Sequence, residues 1–220
     1  MNRVYSQSDR QLHGEMRHAA IAIKTDAAHR QQHVGILYSD DSDKIWLAHL
    51  GWHKQLHCDE PSIRYLWVDP NVPTTRLLQV AVLCELVVES NPDGIPYALS
   101  APNACFDRDT GEFLFGPSMH GLTCATFVLA LFDAVGLRLV RYEEWPGNRE
   151  GDKKWQEWIV SELEKQGAVA PDHVLAVKSE VGGARFRPEE VAGAATVSSL
   201  PAGFKETVER AVELLSRLSR

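Results

Sequence analysis

The chain has 220 residues, 44% of them hydrophobic and 24% charged, with a net charge of -7. That length supports one substantial core with additions, and an acidic balance without Lys or Arg clusters argues against a nucleic-acid partner. The opening residues lack the apolar core of a signal peptide, and no window has the roughly 18 uninterrupted apolar residues that a membrane span needs. The expectation is a soluble, cytoplasmic protein with no membrane span.

Four cysteines, Cys58, Cys84, Cys105 and Cys124, are scattered without paired spacing. In a reducing compartment this suggests free thiols rather than a disulfide framework.

In chain order, a polar leader runs to about Arg17. Residues 19–24 read as a short strand, followed by a polar turn through Asp26 and His29. Residues 33–38 (His-Val-Gly-Ile-Leu-Tyr) form the next expected strand. After a turn rich in Ser and Asp, residues 44–50 return as the second arm of a hairpin that ends on His49. The segment 51–60 has no clear period. Residues 64–69 read as a strand stopped by Pro70 and Pro73, and Thr74 or Thr75 is the expected cap of a largely buried helix ended by residues 91–94. Residues 95–99 look extended, and residues 105–115 look like a hairpin with Asp-Thr-Gly at its turn.

Residues 121–136 are an apolar helical run with Cys124 in its opening turn and Gly136 at its close. Unpaired N–H groups and the positive end of the helix dipole favour a thiolate there, the form that attacks carbonyls. Residues 137–141 suit a strand. Residues 152–166 suit an amphipathic helix with Trp155, Trp158, Ile159 and Leu163 inward, and residues 204–218 a last helix. Residues 169–201 read as loosely structured, without visible chemistry.

A thiol that attacks an amide or ester needs a base to take its proton and return it to the leaving group, and imidazole titrates in the right range. His33 is the expected base. His49, on the neighbouring strand, is the expected group that holds its tautomer. Thr123, Tyr38, Tyr97 and His120 are candidates for substrate or oxyanion contact, beside the backbone N–H of Cys124 itself. Cys105, two residues after Asn103, is a rival nucleophile but has no helical period after it, and Cys84 reads as inert core. His49, His53, His57, Cys58, Asp59 and Glu60 together offer N, S and O ligands, but without the Glu that a zinc-peptidase motif requires.

The order of a His33-Val-Gly-Ile-Leu-Tyr strand, a Leu47-Ala-His49-Leu strand and a Cys-led helix resembles the circularly permuted papain-like proteins of the lecithin:retinol acyltransferase type. The Thr123-Cys124-Ala-Thr-Phe-Val helix is similar to that of NlpC-type peptidases. The resemblance implies an α+β, papain-like (permuted NlpC-type) fold, an antiparallel sheet packed against the Cys-bearing helix. It makes Cys124 the nucleophile, His33 the base and His49 the second polar member. The implied organisation is a catalytic domain over 1–168 with a helix and hairpin inserted at about 58–122, then an extension over 169–220. The implied chemistry is a thioester-forming hydrolase or acyltransferase acting on a peptide, isopeptide or other acyl substrate, with no cofactor and no metal. The alternatives are an inactive papain-like binding module and a metalloprotein built on residues 49–60.

Overall fold

The computed structural model describes residues 4–6, 15–26, 31–102, 104–115 and 120–219. His29 of the expected turn and Asn103 beside Cys105 lie outside them. The fold is α+β: a six-stranded antiparallel sheet with six α-helices. The strands are β1 (Val4–Tyr5), β2 (Ala19–Asp26), β3 (Gln31–Ser39), β4 (Ile45–Trp52), β5 (Gln55–Asp59) and β6 (Leu66–Val68), in the spatial order β1-β6-β2-β3-β4-β5. The helices are α1 (Thr74–Ser90), α2 (Cys124–Ala134), α3 (Asp152–Lys165), α4 (Pro171–Ser179), α5 (Pro188–Ala194) and α6 (Phe204–Leu218).

Side chains alternate across a strand, and here both sets are apolar. Ile21, Ile23, Val34, Ile36, Ala48 and Leu50 join the main core, where α1, α2 and α5 pack on the sheet. On the other face, Ala20, Ala22, Leu37, Leu47, Tyr65 and Trp67 form a smaller core. Helix α2 is buried at every position from Ala125 to Phe132, as expected of a helix apolar all round. It closes at Gly136, whose φ of +73° suits glycine at a helix end.

Several expectations are corrected. Residues 55–59, without a clear sequence period, are strand β5, paired with β4 in the register His49↔His57. Helix α1 has Pro73 at its N-cap position and no side-chain cap, so neither Thr74 nor Thr75 caps it. Trp158 lies on the outer side of α3, 39% exposed, while Gln156, Ile159, Val160 and Leu163 face inward. Residues 137–141 contribute only a single bridge, Val140 to Ala202. Residues 169–201 are not loose: they form α4 and α5, and Val191, Ala192, Ala194, Ala195 and Val197 are fully buried. This segment therefore helps build the main core, because small side chains let α5 approach the sheet and α6 closely.

Among the described residues no helix is long and apolar enough to cross a membrane.

Candidate functional site

Cys124 is the first residue of α2, and a capping box holds it there. The Thr123 hydroxyl accepts the Thr126 N–H at 3.1 Å, and the Thr126 hydroxyl accepts the Thr123 N–H at 2.7 Å. This corrects the role expected of Thr123: its N–H and hydroxyl are both engaged in the cap, so it positions the cysteine rather than meeting a substrate. The next N–H groups, those of Cys124 and Ala125, favour the thiolate of the sulfur. They are the donors a developing oxyanion would meet.

The Val34 N–H acts on the thiol in the same sense. The ladder between β3 and β4 covers only Ile36↔Ala48 to Ser39↔Ile45, leaving the start of β3 open on that side. Helix α2 packs against β3, the strand that carries His33.

His33 Nε2 and His49 Nδ1 are 2.9 Å apart, and His49 Nε2 lies 3.0 Å from Asp59 Oδ2. These contacts fix a proton order. A carboxylate only accepts, so His49 carries its proton on Nε2 and accepts at Nδ1 from His33 Nε2–H. The lone pair of His33 then resides on Nδ1, free to take a proton. Gly35 makes the arrangement possible, since a Cβ there would lie 2.8 Å from the His49 Cβ and 2.7 Å from the Ala48 carbonyl oxygen. The glycine between the two histidine positions lets β4 close on β3.

Electrostatics keep the resting groups neutral. Burial, reinforced by His49 and Lys24, lowers the His33 pKa to about 3, and burial also lowers His49 against the opposing pull of Asp59. Burial raises the Cys124 thiol although three backbone N–H groups and the charge of Arg185 oppose it. The helix start does favour the thiolate, as the sequence suggested, but desolvation outweighs it. Both groups therefore rest neutral, a thiol and an imidazole rather than an ion pair.

The remaining candidates divide. Tyr97 is buried with its ring 4.7 Å from that of Trp52, and burial and the nearby Cys124 charge both raise its hydroxyl. Tyr38 is corrected: it points into the helix-covered core, where its hydroxyl meets Cys58 Sγ at 3.3 Å. It lies five residues along β3 from His33, roughly 16 Å at ~3.3 Å per residue. His120 is exposed, its ring 4.5 Å from Phe115, at a cavity of about 110 Å³ that Gly121 and Leu122 also line. Cys84 and Cys105 are buried. The potential metal ligands of residues 49–60 are dispersed: His49, His57 and Asp59 share one sheet face, Cys58 points to the other, and the His53 ring lies in the turn, 4.8 Å from that of His173. Among the described residues no group of three or more His, Cys, Asp or Glu side chains is arranged to hold a metal ion.

Sequence reasoning missed three residues. Asp59 ends the histidine relay. Tyr65, buried on the His33 side of the sheet, feels the charges of Cys124 and Asp59 and is raised mainly by burial. Arg185, in the segment between α4 and α5, carries a positive charge that favours the Cys124 thiolate. None has a local signal: Tyr65 and Arg185 lie far from Cys124 in sequence, and Asp59 depended on recognising β5.

No family model, curated protein or solved structure matches the chain.

Proposed function

We propose that the chain is a papain-like, permuted thiol hydrolase or acyltransferase that passes its substrate's acyl group through a thioester on Cys124. The observation that carries this reading is the relay Asp59–His49–His33, which leaves a lone pair on His33 of β3, the strand against which the Cys-led helix α2 packs. His33 Nδ1 takes the thiol proton as sulfur attacks the carbonyl, then returns it to the leaving amine or alcohol. The first-turn N–H groups of α2 stabilise the tetrahedral oxyanion. Water, or a second nucleophile activated by the same nitrogen, then releases the acyl group. An antiparallel sheet packed against a Cys-led helix supports the papain-like assignment.

The raised thiol favours a second reading, an inactive papain-like binding module in which Cys124 never ionises. Incubation with an activated ester such as p-nitrophenyl acetate, followed by peptide mapping, separates the two. Acetylation of Cys124 in the parent, with loss of that acylation in His33→Ala, is expected for the enzyme. A parent protein in which Cys124 stays free while other nucleophiles are acylated excludes the enzymatic reading.

A further inference from the structure

Arg185 is poorly neutralised for a guanidinium only 15% exposed. It belongs to a cluster in which Arg149, Arg185 and Arg187 all converge on the carboxylate of Asp152. Arg149 has a second carboxylate, that of Glu190, and Arg187 reaches Asp152 through both Nε and Nη2. Arg185 makes one bond, Nη1 to Asp152 Oδ1 at 3.2 Å. Its Nε and Nη2 have no hydrogen-bond partner among the described residues, and they are absent from the buried unsatisfied atoms, so they reach solvent.

The guanidinium is held in place on its flat side. It stacks 3.6 Å from the centre of the Trp155 ring, and the Trp155 indole N–H donates to Gln31 Oε1 at 2.9 Å. Gln31 is two residues before His33 on β3, on the same strand face. The positive charge of Arg185 acts on both Cys124 and Tyr97. A rigid fork with open donors is therefore held, through Trp155 and Gln31, to the strand that carries His33, in an otherwise acidic protein.

We infer that Arg185 is a substrate-anchoring residue that selects acyl groups bearing a carboxylate a few bonds from the carbon that Cys124 attacks. This inference rests on the thiol chemistry proposed above and names its substrate class. A guanidinium fork matches a carboxylate in two parallel hydrogen bonds, and desolvation by Trp155 strengthens the pairing. Asp152 and Trp155 hold the fork, leaving Nε and Nη2 for the ligand.

Two alkylating agents of nearly equal size test it, iodoacetate and iodoacetamide. In both, the Cys124 sulfur forms a bond to the methylene carbon, iodide leaves with the bonding pair, and the thiol proton passes to the base or to water. Toward an uncharged free thiol such as N-acetylcysteine amide, iodoacetate is the slower reagent because its carboxylate repels the thiolate. At Cys124, followed by peptide mapping, the ratio of iodoacetate to iodoacetamide rates is expected to exceed that of the free thiol by about tenfold, the return on one charge-assisted hydrogen bond. Arg185→Gln should bring the ratio down to the free-thiol value, and Arg185→Lys should keep part of the gain.

If Cys124 labels with both reagents at the free-thiol ratio in the parent protein, the carboxylate anchor is wrong and the Cys–His reading stands. If neither reagent labels Cys124 in the folded protein, both fall together. The parent ratio decides the matter even where Arg185→Gln does not fold.

Discussion

The rings of His33 and His49 meet edge to face, planes 85° apart and centroids 4.8 Å apart, with Nε2 of the first 2.9 Å from Nδ1 of the second. The direction of this hydrogen bond is set one step further away, by the Asp59 carboxylate. Reversing it would place the His33 proton on Nδ1, the nitrogen that the proposed thiol chemistry needs empty.

Asp59→Asn tests that dependence. An amide can present its NH₂ group to His49 Nε2, which then accepts, and the proton order along the relay inverts. Acylation of Cys124 is expected to fall on the order of 10²–10⁴-fold, the usual contribution of a positioned acid–base group. Because Asp59 is exposed, the fold should survive, with thermal unfolding nearly unchanged. An unaltered acylation rate in a folded Asp59→Asn protein would remove the residue from the relay.

Gly35→Ala should separate geometry from chemistry. The new methyl group would press on the Ala48 carbonyl and the His49 Cβ, both under 3 Å away and both on β4. Relief requires β4 to move from β3, at a cost of about 1–3 kcal/mol for an overpacked site and with loss of the His33–His49 bond. Denaturant titration and Cys124 acylation should both register the change, the latter more strongly than stability explains. A variant with parent stability and acylation rate would show that β4 has room to spare.

Much of this site is legible in the amino-acid sequence, and the reasons for the rest are physical. His33, His49 and Cys124 are readable because each lies in an element with a clear period. Asp59 is not, because the β4–β5 connection carries no familiar turn signal: its two residues are His53 and Lys54, and Lys54 rather than a glycine takes the positive φ of 57°. A register irregularity between Leu50 and Trp52 also breaks the alternation that would have revealed β5. The cap at Thr123 is hidden because its partner is Thr126 in place of the usual Glu or Gln. Arg185 is placed by packing of α3 and the α4–α5 segment, contacts that no local pattern encodes.

The low His33 pKa makes stability depend on pH. In the unfolded chain the imidazole titrates near 6.5, and in the folded protein near 3. Between these values the unfolded state binds the extra proton, so stability is full above pH ~6.5 and declines as pH falls toward ~3, by up to about 1.4 kcal/mol per pH unit for one proton. His49, lowered in the same direction, adds to the slope. Urea midpoints across this window should fall more steeply for the parent than for His33→Gln. Parallel curves for the two proteins would mean that His33 takes up its proton as easily folded as unfolded.

Thr123→Ala removes the hydroxyl that accepts the Thr126 N–H and leaves the Thr126 side chain without half of its reciprocal pair. Loss of such a cap costs about 1 kcal/mol, which thermal or urea unfolding should detect. The functional consequence follows from geometry. The capped turn holds the Cys124 and Ala125 N–H groups, which favour the thiolate, and fraying it would weaken both thiolate stabilisation and the proposed oxyanion donors. Acylation of Cys124 should therefore slow, while Thr123→Ser, which keeps the accepting oxygen, should retain most of the stability and the rate. Equal slowing in the Ser and Ala variants would assign the effect to the lost methyl group and its packing, and would separate the cap from the chemistry at Cys124.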